Sequence, residues 1–308
     1  MEEQELLPAD LIGPFSIAYN ESFPELKFNK EEAAAFISRK FPLNKSTNSR
    51  LIAVLKSDSG EISSGYGVLR RTYSSASRPL KVGLVCDVFT GIRYRKQGLF
   101  KKVSLLAISR EDSDGTDFLI GYPVRDEVMP GHLSVGWKHA FNMNVWWAVP
   151  KLGTVKNVSE LVSTHNLQFA KSNTQVKLLA DKEFLEHRFT FFRKKYFVSM
   201  LDDGRNFVIF RKSKLKHMPF ICIVYLQSDD STCTKRLISD VRKFAFVNRA
   251  IGVLGCWNLS FANSLFIREA GLRMSSIYQK VIIRELNGYV MPASESDFEL
   301  SWFDSDTL

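Results

Sequence analysis

The sequence predicts an α/β (α+β) chain of two related units, each a twisted mixed sheet flanked by helices. Three observations predict it. Lys81–Glu111 passes from an apolar, β-branched run through a short basic loop directly into helical spacing. The order of elements met in the first half begins again after residue 182. Between the halves, Pro150–Asp181 is polar, with Gly, Asn, Ser, Thr and Lys spread throughout, and reads as a crossover. The predicted organisation is 1–150 as a first domain, 151–181 as linker and 182–308 as a second, degenerate domain.

The first half opens with two helices, near Ile12–Phe23 and over Lys30–Arg39, the second with Asn29 placed to cap it. Arg50–Lys56 and Ile62–Arg70 read as a hairpin about the turn Ser57-Asp58-Ser59-Gly60. Val82–Thr90 is a largely buried strand by its β-branched content, and Gly91–Gln97 is the loop after it. From Gly98 onward, Leu99, Val103, Leu106 and Ala107 share one helical face. Asp117–Gly121 is a short buried strand, Asp126–Gly136 a short helix weakened by Pro130 and Gly131, and Trp137–Trp147 one or two strands.

In the second half Lys182–Phe192 reads as a helix, and Tyr196–Leu201 with Asn206–Arg211 as a hairpin around Asp202-Asp203-Gly204. Strand Met218–Gln227, helix Thr232–Val247, strand Ala250–Cys256, helix Ser260–Glu269 ending at Gly271, and strand Ser275–Glu285 follow. The acidic tail Glu295–Leu308 carries Trp302 and Phe303 as anchors.

The strand–loop–helix stretch is suited to an anion. The first turn of a helix presents unpaired N–H groups and partial positive charge. Arg93, Arg95, Lys96, Lys101 and Lys102 add cations there, and Gly98 lets a ligand approach the backbone. Cations at a helix N-terminus are otherwise unfavourable, by up to about 1 kcal/mol each. A solvated basic loop with a glycine at the helix start is the competing reading.

Arg95-Lys96-Gln97-Gly98-Leu99-Phe100 resembles the R/Q-x-x-G-x-G/A acyl-CoA loop of the GNAT acyltransferases, in the strand–loop–helix setting of that family. The wider string from Cys86-Asp87-Val88-Phe89-Thr90 to Phe100 resembles the D-V-x-T-x-x-x-Y-R-x-x-G-I/L-F form of the motif. Phe100 stands where most members have Gly or Ala. Gly121-Tyr122-Pro123 with Gly136-Trp137-Lys138 resembles the G-F-P-N … G-W-K segment of members linked to surface-polysaccharide synthesis, with Val124 replacing the Asn.

The resemblance implies two tandem GNAT-like units and an acyl-CoA-dependent N-acyltransferase. Acetyl-CoA or another short acyl-CoA would be the co-substrate, with no metal, and a neutral amine would attack the thioester directly. It places cofactor contacts on Val88, Phe89, Thr90, Arg95, Lys96, Gln97, Gly98, Leu99 and Phe100, with the oxyanion donor a backbone N–H near Val88–Phe89. In the second half the equivalent loop is Ser228-Asp229-Asp230-Ser231, whose carboxylates would cap a helix and repel a diphosphate. Only the first half is expected to bind cofactor.

The reaction needs a route for the amine proton, an oxyanion donor and an acid for the thiolate. Asp87 is the nearest carboxylate to the motif, with anchoring of its own loop as the structural alternative. Tyr122 ends the next strand and could donate to the thiolate, or simply pack. His132 has a suitable intrinsic pKa, as does His139, and a lone histidine is also a common core residue. Asp126 and Glu127 suit a helix start as well as a cleft.

Composition bounds the partners. The 308 residues are 45% hydrophobic and 24% charged, as in a globular chain with a large core, and carry a net charge of +9. That charge favours an anionic partner, and a nucleotide-linked amino sugar would satisfy it as the amine acceptor. The basic run Arg188–Lys216 is the counter-candidate for a nucleic-acid surface, but its aromatics fall at core-compatible positions. A catalytically silent, cofactor-binding protein and a Fem-type transferase using aminoacyl-tRNA are the remaining alternatives; the intact coenzyme A-like loop argues against the second. No apolar run approaches the roughly 20 residues of a membrane span. The acidic start MEEQELLPADL is unlike a signal peptide, and the four cysteines lack CxxC spacing. A cytoplasmic location is expected, and nothing in the sequence sets the oligomeric state.

Overall fold

The computed structural model describes residues 2–5, 8–41, 50–55, 60–169, 176–179, 184–185, 188–189, 195–201, 204–215, 217–258, 264–290 and 297–302. Two compact units divide the chain. Unit 1 comprises Met1–Thr72, Leu80–Ala140 and Val281–Met291; unit 2 comprises Tyr73–Pro79, Phe141–Lys280 and Pro292–Leu308. The units are therefore interleaved in sequence, where the sequence reading expects consecutive blocks.

Unit 1 begins with β1 (Glu2–Glu5), an element absent from the sequence reading, and α1 (Pro8–Ser22). Helix α2 (Lys30–Lys40) starts where Asn29 accepts from the Glu32 amide while the Glu32 carboxylate takes the Asn29 amide. This capping box satisfies two of the donors a helix start leaves open. Strands β2 (Arg50–Leu55) and β3 (Ile62–Ser74) pair antiparallel as expected; most of their turn lies outside the described residues. Then come β4 (Leu80–Thr90), α3 (Leu99–Ser113) and β5 (Phe118–Gly121). The expected single helix after β5 is a 3-10 turn, Asp126–Val128, running into α4 (Met129–Ser134), with Pro130 in its first turn where no amide is needed.

The unit 1 sheet runs β1-β2-β3-β4-β5 and is completed by Val281 onward of β13 (Arg273–Glu285). β4 and β5 are parallel, and β13 is antiparallel to β5 through Ile282↔Gly121. α3 buries Leu99, Val103, Ala107 and Ile108 against Tyr66, Val85, Leu119, Trp137 and Ile282. Within this core Glu111 is fully buried and takes both Arg70 Nε and Nη2 at 3.0 Å, with the Thr116 hydroxyl at 2.7 Å. The fork geometry satisfies the carboxylate on both oxygens.

Unit 2 repeats the plan. β6 (Lys138–Ala148, in this unit from Phe141) is one strand. The stretch read as a linker contributes β7 (Val158–Glu160) and β8 (Val176–Leu178), so it is partly sheet. β9 (Tyr196–Leu201), β10 (Asn206–Leu215), β11 (Met218–Gln227), α5 (Ser231–Val247), β12 (Gly252–Trp257), α6 (Ser264–Glu269) and β14 (Phe298–Glu299) follow. Of the helix expected over Lys182–Phe192, only 184–185 and 188–189 are described, and they are helical. Phe303 lies outside the described residues.

The order is β6-β12-β11-β10-β9-β7, with β11 parallel to β12 and β6 antiparallel to β12. α5 packs Leu237, Val241 and Phe244 on Val208, Phe210 and Ile223. In each unit a parallel pair is thus closed by an antiparallel strand drawn from the other half of the sequence. That exchange is the physical reason the sequential boundary at 150 does not match the packing.

Candidate active site

Pairing of β4 with β5 runs from Val82↔Phe118 to Val85↔Gly121. There β5 ends, while β4 continues to Thr90. The two strands part at this point, leaving Cys86–Thr90 beyond the last pair. A bend accompanies the parting: Asp87 has φ 50°, a left-handed conformation rare outside glycine. Beyond it the chain is held against both faces of the sheet. Phe89 packs on Phe15, Tyr19 and Phe23 of the α1 side, while Val88 packs on the α3 core. Gly65 is needed beneath, because a Cβ there would lie 2.5 Å from the Phe89 ring.

The loop that follows is fixed by backbone bonds, Gly91 N–H to Ser63 O at 2.9 Å and Tyr94 N–H to Gly91 O at 2.8 Å, and by the Tyr94 hydroxyl on Glu61. Arg93, Arg95, Lys96 and Gln97 remain exposed. Lys96 (φ 63°) and Gly98 (φ 73°) are both left-handed, and Gly98 takes the N-cap of α3 with no side-chain cap. The first intrahelical bond is Lys102 N–H to Gly98 O, 3.1 Å, which leaves the amides of Leu99, Phe100 and Lys101 without a helical acceptor. Space beside Gly98 is open: a Cβ would meet nothing within 4 Å. Exposed cations, uncapped amides and open space fit a diphosphate.

Phe100 does not crowd that space. Its ring turns to α4, where it lies against Gly131 and meets the His132 ring edge-on at 5.1 Å. His132 in turn meets Trp137 at 5.4 Å. The imidazole is 6% exposed, and burial lowers its pKa from 6.5 to about 4, so it is neutral at physiological pH.

Asp87 is not free to act as a base. Its carboxylate pairs with Lys40 Nζ at 2.6 Å, both side chains buried, and accepts from the Tyr19 hydroxyl at 3.1 Å. It therefore ties β4 to α1 and α2, and faces the opposite side of the sheet from His132. Tyr122 is buried at the end of β5. The three residues selected as catalytic from sequence are thus not brought together. Lys40 and Tyr19 were missed; Lys40 lies in the last turn of α2, where a basic residue looks like ordinary dipole compensation.

The GYP and GWK residues have a packing explanation. Trp137 comes within 3.6 Å of the position a Gly121 Cβ would take. Gly136 has φ 85° and its carbonyl accepts Arg284 Nη1 at 2.9 Å; a Cβ would lie 1.8 Å from that nitrogen. Lys138 pairs with Glu285 at 2.6 Å. Val124, in place of the Asn, is exposed.

Unit 2 carries the same parting of strands with different contents. β11 and β12 pair only from Phe220↔Gly252 to Cys222↔Leu254. Asp230 caps α5 by accepting the Cys233 amide at 2.7 Å, and Asp229 is bonded to Asn206. A carboxylate of the chain itself occupies the helix start. Beyond the parting, Trp257 pairs with Asn144 on one edge and forms a bridge to Ser301 on the other. The Asn258 side chain holds Phe298 O and Leu300 N–H, so residues 298–301 lie along the edge that β12 turns toward β11.

Among the described residues, no group of His, Cys, Asp and Glu could hold a metal ion, and no helix is long and apolar enough to cross a membrane. No family model and no curated protein matches the sequence. Solved structures do match. A GCN5-related N-acetyltransferase from Anabaena variabilis superposes with TM-score 0.65 at 10% identity, over 93% of this chain and 73% of that one. A GCN5-related N-acetyltransferase from Kribbella flavida gives 0.63 at 12% identity, over 93% and 71%. Saccharomyces cerevisiae N-myristoyltransferase with bound myristoyl-CoA gives 0.58 at 10%, over 91% and 82%. The chain has the fold of the GCN5-related N-acetyltransferases.

Proposed function

We propose, with that fold as the premise, that the protein is an acyl-CoA-dependent N-acyltransferase acting through unit 1. The observation that carries this is the parted β4/β5 pair running through an exposed basic loop into the uncapped start of α3. The diphosphate of the cofactor would rest on the amides of Gly98–Lys101, with Arg95 and Lys96 as counter-charges. Val88, Phe89 and Thr90 supply the strand edge for pantetheine, and one of their amides the donor to the oxyanion. Attack of a neutral amine on the thioester carbon expels the coenzyme A thiolate. With Asp87 held by Lys40, the amine proton leaves by water in this scheme. Tyr122, at the end of β5, is the donor to the thiolate, and neutral His132 positions Phe100 away from the diphosphate.

Acetyl or another short acyl group is the proposed cargo, and a small amine, specifically a nucleotide-linked amino sugar, the proposed acceptor. Support for the sugar is the net charge of +9 and the GYP/GWK likeness, whose residues are also accounted for by packing.

Calorimetry with acetyl-CoA tests the cofactor. Arg95→Glu with Lys96→Glu should weaken binding by about 2 kcal/mol, roughly 30-fold, through two lost phosphate contacts. Replacing Asp229 and Asp230 should leave affinity unchanged. No binding by the unmodified protein at millimolar acetyl-CoA sinks the enzyme. A coenzyme A release assay over UDP- and dTDP-amino sugars, polyamines and peptides then tests the acceptor. Turnover confined to the latter two classes removes the sugar, and silence despite binding assigns a cofactor-binding protein without turnover.

A further inference from the structure

On β9, β10 and β11 of unit 2, Tyr196, Arg211 and Cys222 stand directly opposite one another. Side chains alternate across a strand, and Phe197 and Phe210 face Phe244 of α5. The row Tyr196–Arg211–Cys222 therefore lies on the other face of the sheet. All three are buried, Arg211 at 7% exposure. Among the described residues nothing accepts from the Arg211 guanidinium: its Nε is out of water without a hydrogen-bond partner. The Tyr196 hydroxyl, on the adjacent strand, is equally buried and equally without one. Apolar groups lie beside them: the Phe189 ring is 5.0 Å from that of Tyr196, and Ile209 is fully buried on the same face.

A guanidinium keeps its charge at any physiological pH and cannot escape burial by losing a proton. Its Nε, out of water without an acceptor, carries an unmet hydrogen bond that an oxygen ligand would satisfy. Two buried donors on directly paired residues of neighbouring strands, one of them a fixed planar fork, suit an oxyanion. We propose that Arg211 and Tyr196 form an anion-binding site in unit 2 for a carboxylate or phosphate group. This site is separate from the α3 loop and does not depend on the acyltransferase reading.

The test is the melting temperature of the full chain carrying Arg95→Glu and Lys96→Glu, which removes the loop as a competing anion site. Samples in potassium phosphate, potassium acetate and potassium chloride are compared at equal ionic strength. Phosphate or acetate should raise Tm by about 3 °C over chloride, and whichever anion does so identifies the group. Arg211→Met should abolish the anion-dependent shift and melt no lower than its parent in chloride, because an uncompensated charge has been removed. Tyr196→Phe should keep the fold and reduce the shift, and serves as the second variant if Arg211→Met does not fold. Equal Tm in all three salts, or a shift that survives both variants, overturns the site.

Discussion

At the scale of single residues, two buried groups govern how unit 1 responds to change. The Lys40–Asp87 pair is held with the Tyr19 hydroxyl and flanked by the Phe36 and Phe41 rings. Removing one partner strands a charge, so Asp87→Ala should lower unfolding free energy by about 3–5 kcal/mol. Joint replacement by Met at 40 and Asn at 87, which tolerates the left-handed backbone there, should recover most of that in urea titrations. His132 acts through pH. Its folded pKa of about 4 lies below the ordinary 6.5, so the unfolded chain takes up a proton that the folded chain refuses. The associated stability is complete above about pH 6.5 and is lost as pH falls toward 4, a change of about 3 kcal/mol. Urea midpoints between pH 7 and 4 should show that decline in the parent and a shallower one in His132→Phe.

Among elements, the contact of α3 with α4 is set by a single small residue. Alanine is normally preferred over glycine inside a helix by about 1 kcal/mol. At Gly131 the Phe100 ring lies 2.8 Å from the added Cβ, so crowding opposes that preference. Gly131→Ala should therefore destabilise by about 1–2 kcal/mol and push Phe100 toward the open space beside Gly98, weakening acetyl-CoA binding if the proposed function holds. Both effects should be relieved by Phe100→Ala, checked by melting and by calorimetry. Sequence disclosed the motif around Phe100 because a strand, a basic loop and a helix are local patterns. It could not disclose where the ring turns, since Gly131 and His132 come from another element. Asp87 was singled out for the same local reason, and its true partner lies 47 positions upstream, at Lys40.

For the whole molecule, the interleaving of units has a direct test. A fragment ending at residue 150 lacks Val281–Met291, which belongs to unit 1 and covers the open edge of β5 with Ile282 and Ile283. That fragment should fail to melt cooperatively. The same fragment fused through a flexible linker to residues 273–291 should melt as one transition and bind acetyl-CoA. Cooperative melting of 1–150 alone would restore the sequential boundary. Element order and the duplicated plan were readable because hydrophobic period is written locally. The exchange of closing strands was not, because the local pattern of a strand such as β6 or β13 does not say which edge it joins.

The contact of residues 298–301 with the end of β12 bears on how the second unit differs from the first. A segment tethered to its own receptor is present at an effective concentration of about millimolar or above. The edge of β12 beyond its pairing with β11 is therefore occupied from within. A diffusing molecule would reach that edge only by displacing the tether.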